Sequence, residues 1–289
     1  MADGDIVLGA NQYGKAECRL VRVERDTARH AITDLTVTTQ LRGDFEACHL
    51  EGDNSLVVAT DTQKNTVYAF AREHGVAGVE PFLLTLADHF VETFPQVSAA
   101  EISAEQHAWE RIEVDGRPHD HSFVRSGREV RTARVVREGE AVTVHAGLTD
   151  CVLLKSTGSE FHGFPRDRYT TLAETDDRIL ATSLTATWRY AAGAHVDADL
   201  EAAYASVRAI LLATFADLHS LALQQTIHAM GRAVLEAHPE IAEISLRCPN
   251  KHHFLVDLAP FGLDNPGEVF VAADRPYGLI QATVLREGA

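Results

Sequence analysis

Polar and apolar residues alternate along two early stretches of the chain. Val21 and Val23 are set off by Arg22 and Glu24, and Leu35, Val37, Thr39 and Leu41 by Thr36, Thr38, Gln40 and Arg42. A period of two gives a strand one apolar and one polar face, so these stretches predict a hairpin of two long strands. After Asp61 the spacing becomes helical. A second helix is predicted to open at Glu80-Pro81, where proline suits the first helical position, and to run through Leu83, Leu86 and Phe90. Ile112 and Val114 then lead through Asp115-Gly116, a dipeptide suited to a tight hairpin turn, towards Phe123. The first half therefore reads β-β-α-α-β-β.

The second half repeats that order. Residues 152–155 begin it, followed by the alternation of Leu180, Thr182, Leu184, Ala186 and Trp188. Leu200, Tyr204, Val207, Leu211, Phe215 and Leu218 then step by three and four along one helix face, and Leu223, Ile227, Met230 and Val234 along another. Ile244, Leu246 and Cys248 start a strand whose partner is expected around residues 269–284. The pattern predicts an α+β chain of two tandem domains, residues 1–140 and 141–289, joined near Gly139. Each would be an antiparallel sheet with its helices on one face. Such a sheet leaves its edges and other face open, so side-by-side association of units is expected.

The length of 289 residues suits about two domains, and 45% hydrophobic residues can supply their cores. Lys and Arg number 26 against 42 Asp and Glu, a formal net charge of -16 that would repel nucleic acid and anionic membrane surfaces. A small anionic ligand would need a local cation. Cys18, Cys48, Cys151 and Cys248 form no metal or redox motif and read as reduced thiols. No apolar run reaches the roughly 18 to 20 residues of a membrane helix. The acidic start, Met1 to Asp5, is unlike a signal peptide, which makes the cytoplasm the expected location.

Gly-rich dinucleotide and phosphate loops, H-E-x-x-H and G-x-S-x-G are all missing from the sequence. Unusual polar residues concentrate instead in four distant segments: Asn11-Gln12-Tyr13-Gly14-Lys15, Val58-Ala59-Thr60-Asp61-Thr62-Gln63-Lys64-Asn65, the stretch from Phe161-His162-Gly163-Phe164 to Asp177-Arg178-Ile179-Leu180, and Pro249-Asn250-Lys251-His252-His253-Phe254. With Asp167-Arg168-Tyr169-Thr170-Thr171-Leu172 and Tyr277-Gly278-Leu279-Ile280, they resemble urate oxidase (uricase) from Tyr13 nearly to the C-terminus. The resemblance implies the tunnelling fold, with two β-β-α-α-β-β domains per chain and four chains forming a barrel. It also implies active sites at subunit contacts and oxidation of urate by O2 to 5-hydroxyisourate and H2O2 in purine degradation, with no metal or organic cofactor.

By position in those motifs, the resemblance makes Arg178 the guanidinium that pairs with the urate carbonyl and ring-nitrogen edge, which answers the need for a local cation. Gln224 would take the opposite edge, Gln225 beside it fitting the spacing less well, and Phe161 would stack on the purine between the apolar walls Leu223 and Ile280. Lys15, Thr60 and His252 match the proton relay. Asn250 with Thr60 matches the pair that holds O2 or water above the ring, and the Asp61 main chain matches a contact to the ligand's far end.

Each residue also has an ordinary structural reading: a salt-bridged Arg178, a core Phe161, a solvated Lys15, or Thr60 and Asp61 as helix caps. Two rival functions remain at this level. A zinc-dependent purine or pterin enzyme of the same fold would use histidines such as His119, His121, His252 and His253, which lack ligand spacing. A non-catalytic purine-binding protein would have no use for Lys15.

Overall fold

Strands β1 (Tyr13–Glu24) and β2 (Ala31–Gly43) pair antiparallel and open the first half of the chain. The structure, a computed structural model, describes residues 6–273 and 275–288; Met1 to Asp5, where the sequence was read for a leader, lie outside the described residues. The chain divides into two compact units, Met1–Ala146 and Gly147–Ala289.

In the first unit β2 presents Leu35, Val37, Thr39 and Leu41 inward, all fully buried. On β1 the inward residues are Cys18 and Leu20, while Val21 and Val23 lie on the opposite, exposed face. The alternation was correctly a strand signal, but the apolar valines are not its buried set. A short helix α1 (Glu46–Leu50), too brief to show a period, precedes α2 (Thr60–Glu73) and α3 (Val79–Thr93). The third helix opens one residue before Glu80, placing Pro81 third in its first turn. Proline is tolerated there because the first four N–H groups of a helix have no intrahelical partner. Phe82, Leu83, Leu86 and Phe90 of α3 enter the core, where each such side chain contributes about 1.5–3 kcal/mol by leaving water.

The unit continues with β3 (Val97–Val114) and β4 (Arg117–Glu138), whose turn residues Asp115 and Gly116 have φ of 51 and 71°. Both are left-handed, as the tight hairpin turn requires. The strand order is β1-β2-β3-β4. Strand β5 (Ala141–Lys155) begins after the turn at Gly139 and runs on unbroken, so the division between units falls inside it.

The second unit orders β5, β6 (Leu180–Tyr190), β7 (Ile241–Asn250) and β10 (Gly278–Leu285) side by side, with β6–β7 and β7–β10 antiparallel. Between β6 and β7 lie α4 (Leu200–Asp217), capped by the Asp199 carboxylate on Ala202 N at 3.0 Å, and α5 (Leu223–Ala237). The partner expected for β7 around residues 269–284 is only partly so. The pairing starts at Gly278, whereas β9 (Phe270–Ala272) turns away to pair with β8 (His253–Leu255) as a separate ribbon.

Helix α5 runs against β10 in a direction that two contacts define. A Cβ on Gly231 would meet Val284 Cγ2 at 2.6 Å, so the helix lies almost on the strand there. Arg286, just past β10, donates to the carbonyls of Leu235 and His238 at the C-terminal end of α5. The N-terminus of α5 therefore lies at the end of the sheet where β7 finishes at Asn250 and β10 starts at Gly278.

Among the described residues no helix is long and apolar enough to cross a membrane.

Candidate active site

The expected residues fall into two groups. Lys15, Thr60 and Asp61 belong to the first unit, and Phe161, Arg178, Leu223, Gln224, Asn250, His252 and Ile280 to the second.

In the first unit a β-bulge decides where Lys15 points. Lys15 pairs with Thr39 and Cys18 with Val37, so three steps on β1 match two on β2, and Glu17 in the bulge takes φ 56°. One extra residue shifts the side-chain alternation by one. Counting back in twos from the inward Leu20 and Cys18 would bring Ala16 and Gly14 inward; the bulge brings Lys15 and Tyr13 inward instead. Lys15 thus shares the helix-covered face with Thr39. Its charge acts on two groups there: it opposes the burial that pushes the Cys18 thiol up, and adds to the Lys64 contact that holds the Asp61 carboxyl below its usual range.

The start of α2 is fastened to this strand. Thr39 Oγ1 donates to Gln63 Oε1 at 2.7 Å, Gln63 Nε2 donates to the Val58 carbonyl at 3.1 Å, and Val58 N donates to the Tyr13 hydroxyl at 2.8 Å. Thr39 and Gln63 are fully buried. The capping reading of Thr60 and Asp61 does not hold: Ala59 is the N-cap, with no side-chain cap bond. Asp61 turns its carboxylate to Lys64 at 2.5 Å and Asn65 at 3.0 Å. The first N–H groups of α2 thus have no side-chain cap, and an uncapped helix start can receive an anion or polar ligand. Thr60 is half-buried in that first turn, and among the described residues no hydrogen bond joins it to Lys15.

In the second unit the loop after β5 carries Phe161 and Arg178. Thr175 N and Phe161 N bond each other's carbonyls at 3.2 and 2.9 Å, and Arg178 N donates to the Ser159 carbonyl at 2.8 Å. These bonds fold the loop back so that the Arg178 guanidinium carbon lies 5.2 Å from the Phe161 ring centre, while Phe161 stacks on Phe164 at 5.0 Å. Burial draws Arg178 below its ordinary pKa, although a guanidinium stays charged near neutrality. His252 follows β7 and stacks on Phe254, its rings 5.9 Å apart. Burial first, then the charges of Arg178 and His253, hold it below the usual histidine value, so its neutral form is favoured.

Leu223, buried, and Gln224, exposed, occupy the first turn of α5, whose N-cap is Ala222 without a side-chain bond. The structure distinguishes the adjacent glutamines: Gln225 Oε1 accepts from Leu221 N at 2.8 Å, whereas the Gln224 side chain has no hydrogen-bond partner among the described residues. Asn250 pairs with Gly278 and Thr182, and Ile280 with Cys248, on adjoining strands at that end of the sheet. Burial pushes the Cys248 thiol up to about 11, which leaves it an inert neighbour.

Sequence alone gave no supporting role to the buried polar residues Thr39, Gln63, Ser159, Ser220 and Thr226, which hold these side chains in place. A signal existed for Gln63, a polar residue four before Val67 on the buried side of α2. Histidines of the zinc reading form no converging ligand set among the described residues. The group that does converge is Glu160, His162 and Asp176, with ligand atoms within 4.8 Å of one another and two of the three residues exposed. His162 Nε2 lies 2.9 Å from Asp176 and 3.6 Å from Glu160.

Comparison with known proteins adds to this geometry. A protein-family model described as uricase matches residues 11–136 and 144–281. A uricase of Arthrobacter globiformis is 62% identical over 98% of this chain and 91% of its own length, and one of Aspergillus flavus 38% identical over 96% of each. The crystal structure of the Arthrobacter globiformis uricase superposes with a TM-score of 0.94 at 62% identity, over 99% of this chain and 97% of that one. A uricase structure from Bacillus fastidious gives 0.83 at 28% identity, over 96% and 94%.

Proposed function

The chain belongs to the uricase family and so oxidises urate with O2, and we propose that it does so at a site made from the two groups of residues described above. The two β-β-α-α-β-β units are tandem tunnelling-fold domains, α+β in class. The reaction balances as urate, O2 and water giving 5-hydroxyisourate and H2O2.

The observation that carries the site assignment is the Arg178 guanidinium over Phe161, next to His252 and at the sheet end where α5 begins. Phe161 stacks on the flat purine. Arg178 pairs with one edge through its planar fork, and its charge holds the urate anion inside a strongly acidic protein. Gln224 donates to and accepts from the opposite edge; its free amide supports this role. Leu223 and Ile280 form the apolar walls, and the uncapped N–H of Asp61 meets the far end of the ligand.

Urate is itself the reductant. The protein has to remove a proton, keep the electron-rich ring flat and set O2 against its face. Lys15 takes the proton through the Thr60 hydroxyl, and His252, favoured in its neutral form, completes the relay. Asn250 and Thr60 hold O2 or water above the ring. This chemistry calls for no metal or organic cofactor.

Because Lys15 and Thr60 belong to one unit and Arg178 and Gln224 to the other, the reading extends to assembly: one chain supplies the first group and its neighbour the second, in a homotetramer. Val21, Val23, Ile112 and Val114 in the first unit, and Val152 and Leu154 in the second, are exposed apolar strand residues that support association. The acidic charge and soluble composition support a cytoplasmic location without nucleic-acid or membrane partners.

The test is to follow urate absorbance and peroxide release with the purified protein, with and without a chelator. Stoichiometric peroxide in both conditions is expected; urate that stays unoxidised in both would overturn the assignment.

A further inference from the structure

Ser220 and Thr226 are fully buried, with hydroxyl oxygens 2.7 Å apart. Thr226 Oγ1 donates its proton to the Ala222 carbonyl one turn back, at 3.2 Å, so Ser220 is the donor between the two hydroxyls. Ser220 also grips the loop after β5. Its carbonyl accepts from Glu160 N at 2.8 Å, and its own N–H donates to the Gly158 carbonyl at 2.9 Å. Between those bonds lies Ser159, fully buried, whose carbonyl accepts from Arg178 N and whose hydroxyl lies 3.4 Å from Arg178 Nε. A continuous run of hydrogen bonds therefore leads from the first turn of α5, which carries Leu223 and Gln224, to the backbone of Phe161 and Arg178.

We propose that Ser220 and Thr226 are a positioning pair that sets the span between Arg178 and Gln224, and with it the width of the cleft for a flat anion bonded along two opposite edges. The proposal rests on the roles given above to Arg178 and Gln224. A rigid bicyclic ligand can be bonded at both edges only if that span matches its own width, and a displacement of about 1 Å can cost on the order of 100-fold. Arginine and glutamine have long, adjustable side chains, so the span has to be held by their backbones. Valine in place of Thr226 would keep the shape and leave the buried Ser220 proton without its acceptor, which favours movement of the loop away from the helix.

The experiment compares Thr226→Val and Thr226→Ser in the full-length enzyme. The readouts are KM and kcat for urate, the Kd of xanthine, which shares the purine ring and lacks the C8 oxygen, and melting temperature. Thr226→Val is expected to raise KM and the xanthine Kd about tenfold or more and change kcat less, and Thr226→Ser to restore both to within about twofold. Val234→Ala, which opens a cavity in the last turns of the same helix, should lower the melting temperature without moving KM. A normal KM in Thr226→Val, no rescue by serine, or an equal KM shift in Val234→Ala would each overturn the proposal. Arg178→Gln and Gln224→Leu separate the two levels. If both bind xanthine as well as the parent, the reading of the site itself fails; if both bind weakly while Thr226→Val binds normally, only the positioning claim fails.

Discussion

The Arg178 guanidinium carbon stands 5.2 Å from the centre of the Phe161 ring, and Arg178 is the leading charge that depresses the neighbouring His252. One cation thus borders both the stacking surface and a group that exchanges protons. In an enzyme of net charge -16 it also supplies the local attraction that an anionic substrate needs.

Replacing Arg178 should accordingly have two effects. Arg178→Gln removes charge-assisted bonds to the substrate edge, each about 1.5–3 kcal/mol, so xanthine affinity should fall by about 100-fold or more in a direct titration. In the same variant the His252 imidazole should titrate closer to its ordinary value, as followed by NMR. An unmoved His252 would show that the two groups are not electrostatically coupled.

The pH dependence follows from the direction of the His252 shift. Its folded pKa lies below the usual 6.5, so as pH falls through 6.5 the unfolded chain gains a proton before the folded one does, and stability decreases on the acid side. Above 6.5 both states are neutral there and the effect vanishes. If neutral His252 is the active form, kcat/KM should lose activity on the acid side with a midpoint below 6.5. A midpoint above 6.5 in the parent would rule His252 out as the titrating group.

Lys15→Met is expected to lower kcat by about 100- to 10,000-fold, the range of a lost proton-transfer group, with xanthine affinity nearly intact. Mixing tests whether the site is shared. Lys15→Met and Arg178→Gln chains, inactive separately, should regain a sizeable fraction of turnover when unfolded together and reassembled. Mixed oligomers that form, as shown by co-purification of differently tagged chains, yet stay inactive would place the site within one chain.

Gly14→Ala should damage the same residue through the backbone. A Cβ at Gly14 would sit 1.7 Å from the Thr39 carbonyl oxygen, so β1 must move away from β2 beside Lys15. Overpacking of this kind costs about 1–3 kcal/mol or more. A lower melting temperature together with reduced kcat is expected, and an unchanged kcat would mean that strand registry does not place Lys15.

Exhaustive chelation, checked by elemental analysis, should leave urate oxidation at its full rate. Activity lost on stripping and restored by zinc or copper would move attention to Glu160, His162 and Asp176, the converging group beside Phe161.

The alternation of residues 35–41 and the stripes of α3, α4 and α5 were enough to define those long elements and their order, because burial on one side of a regular element leaves its own period in the sequence. The uricase resemblance was equally legible, since it lies in residue identities. Phase and contact were not. Nothing in the sequence around Lys15 announces the bulge that turns it inward, because a bulge is defined by the pairing of β1 with β2 and not by β1 alone. Gln224 and Gln225 became distinguishable only when folding brought Leu221 N to one of them. Partners such as Ser159 and Ser220, or Thr39 and Gln63, are ordinary polar residues until distant segments meet and water is excluded between them. Only then does each hydroxyl have to find its acceptor, and that requirement fixes where the reactive side chains stand.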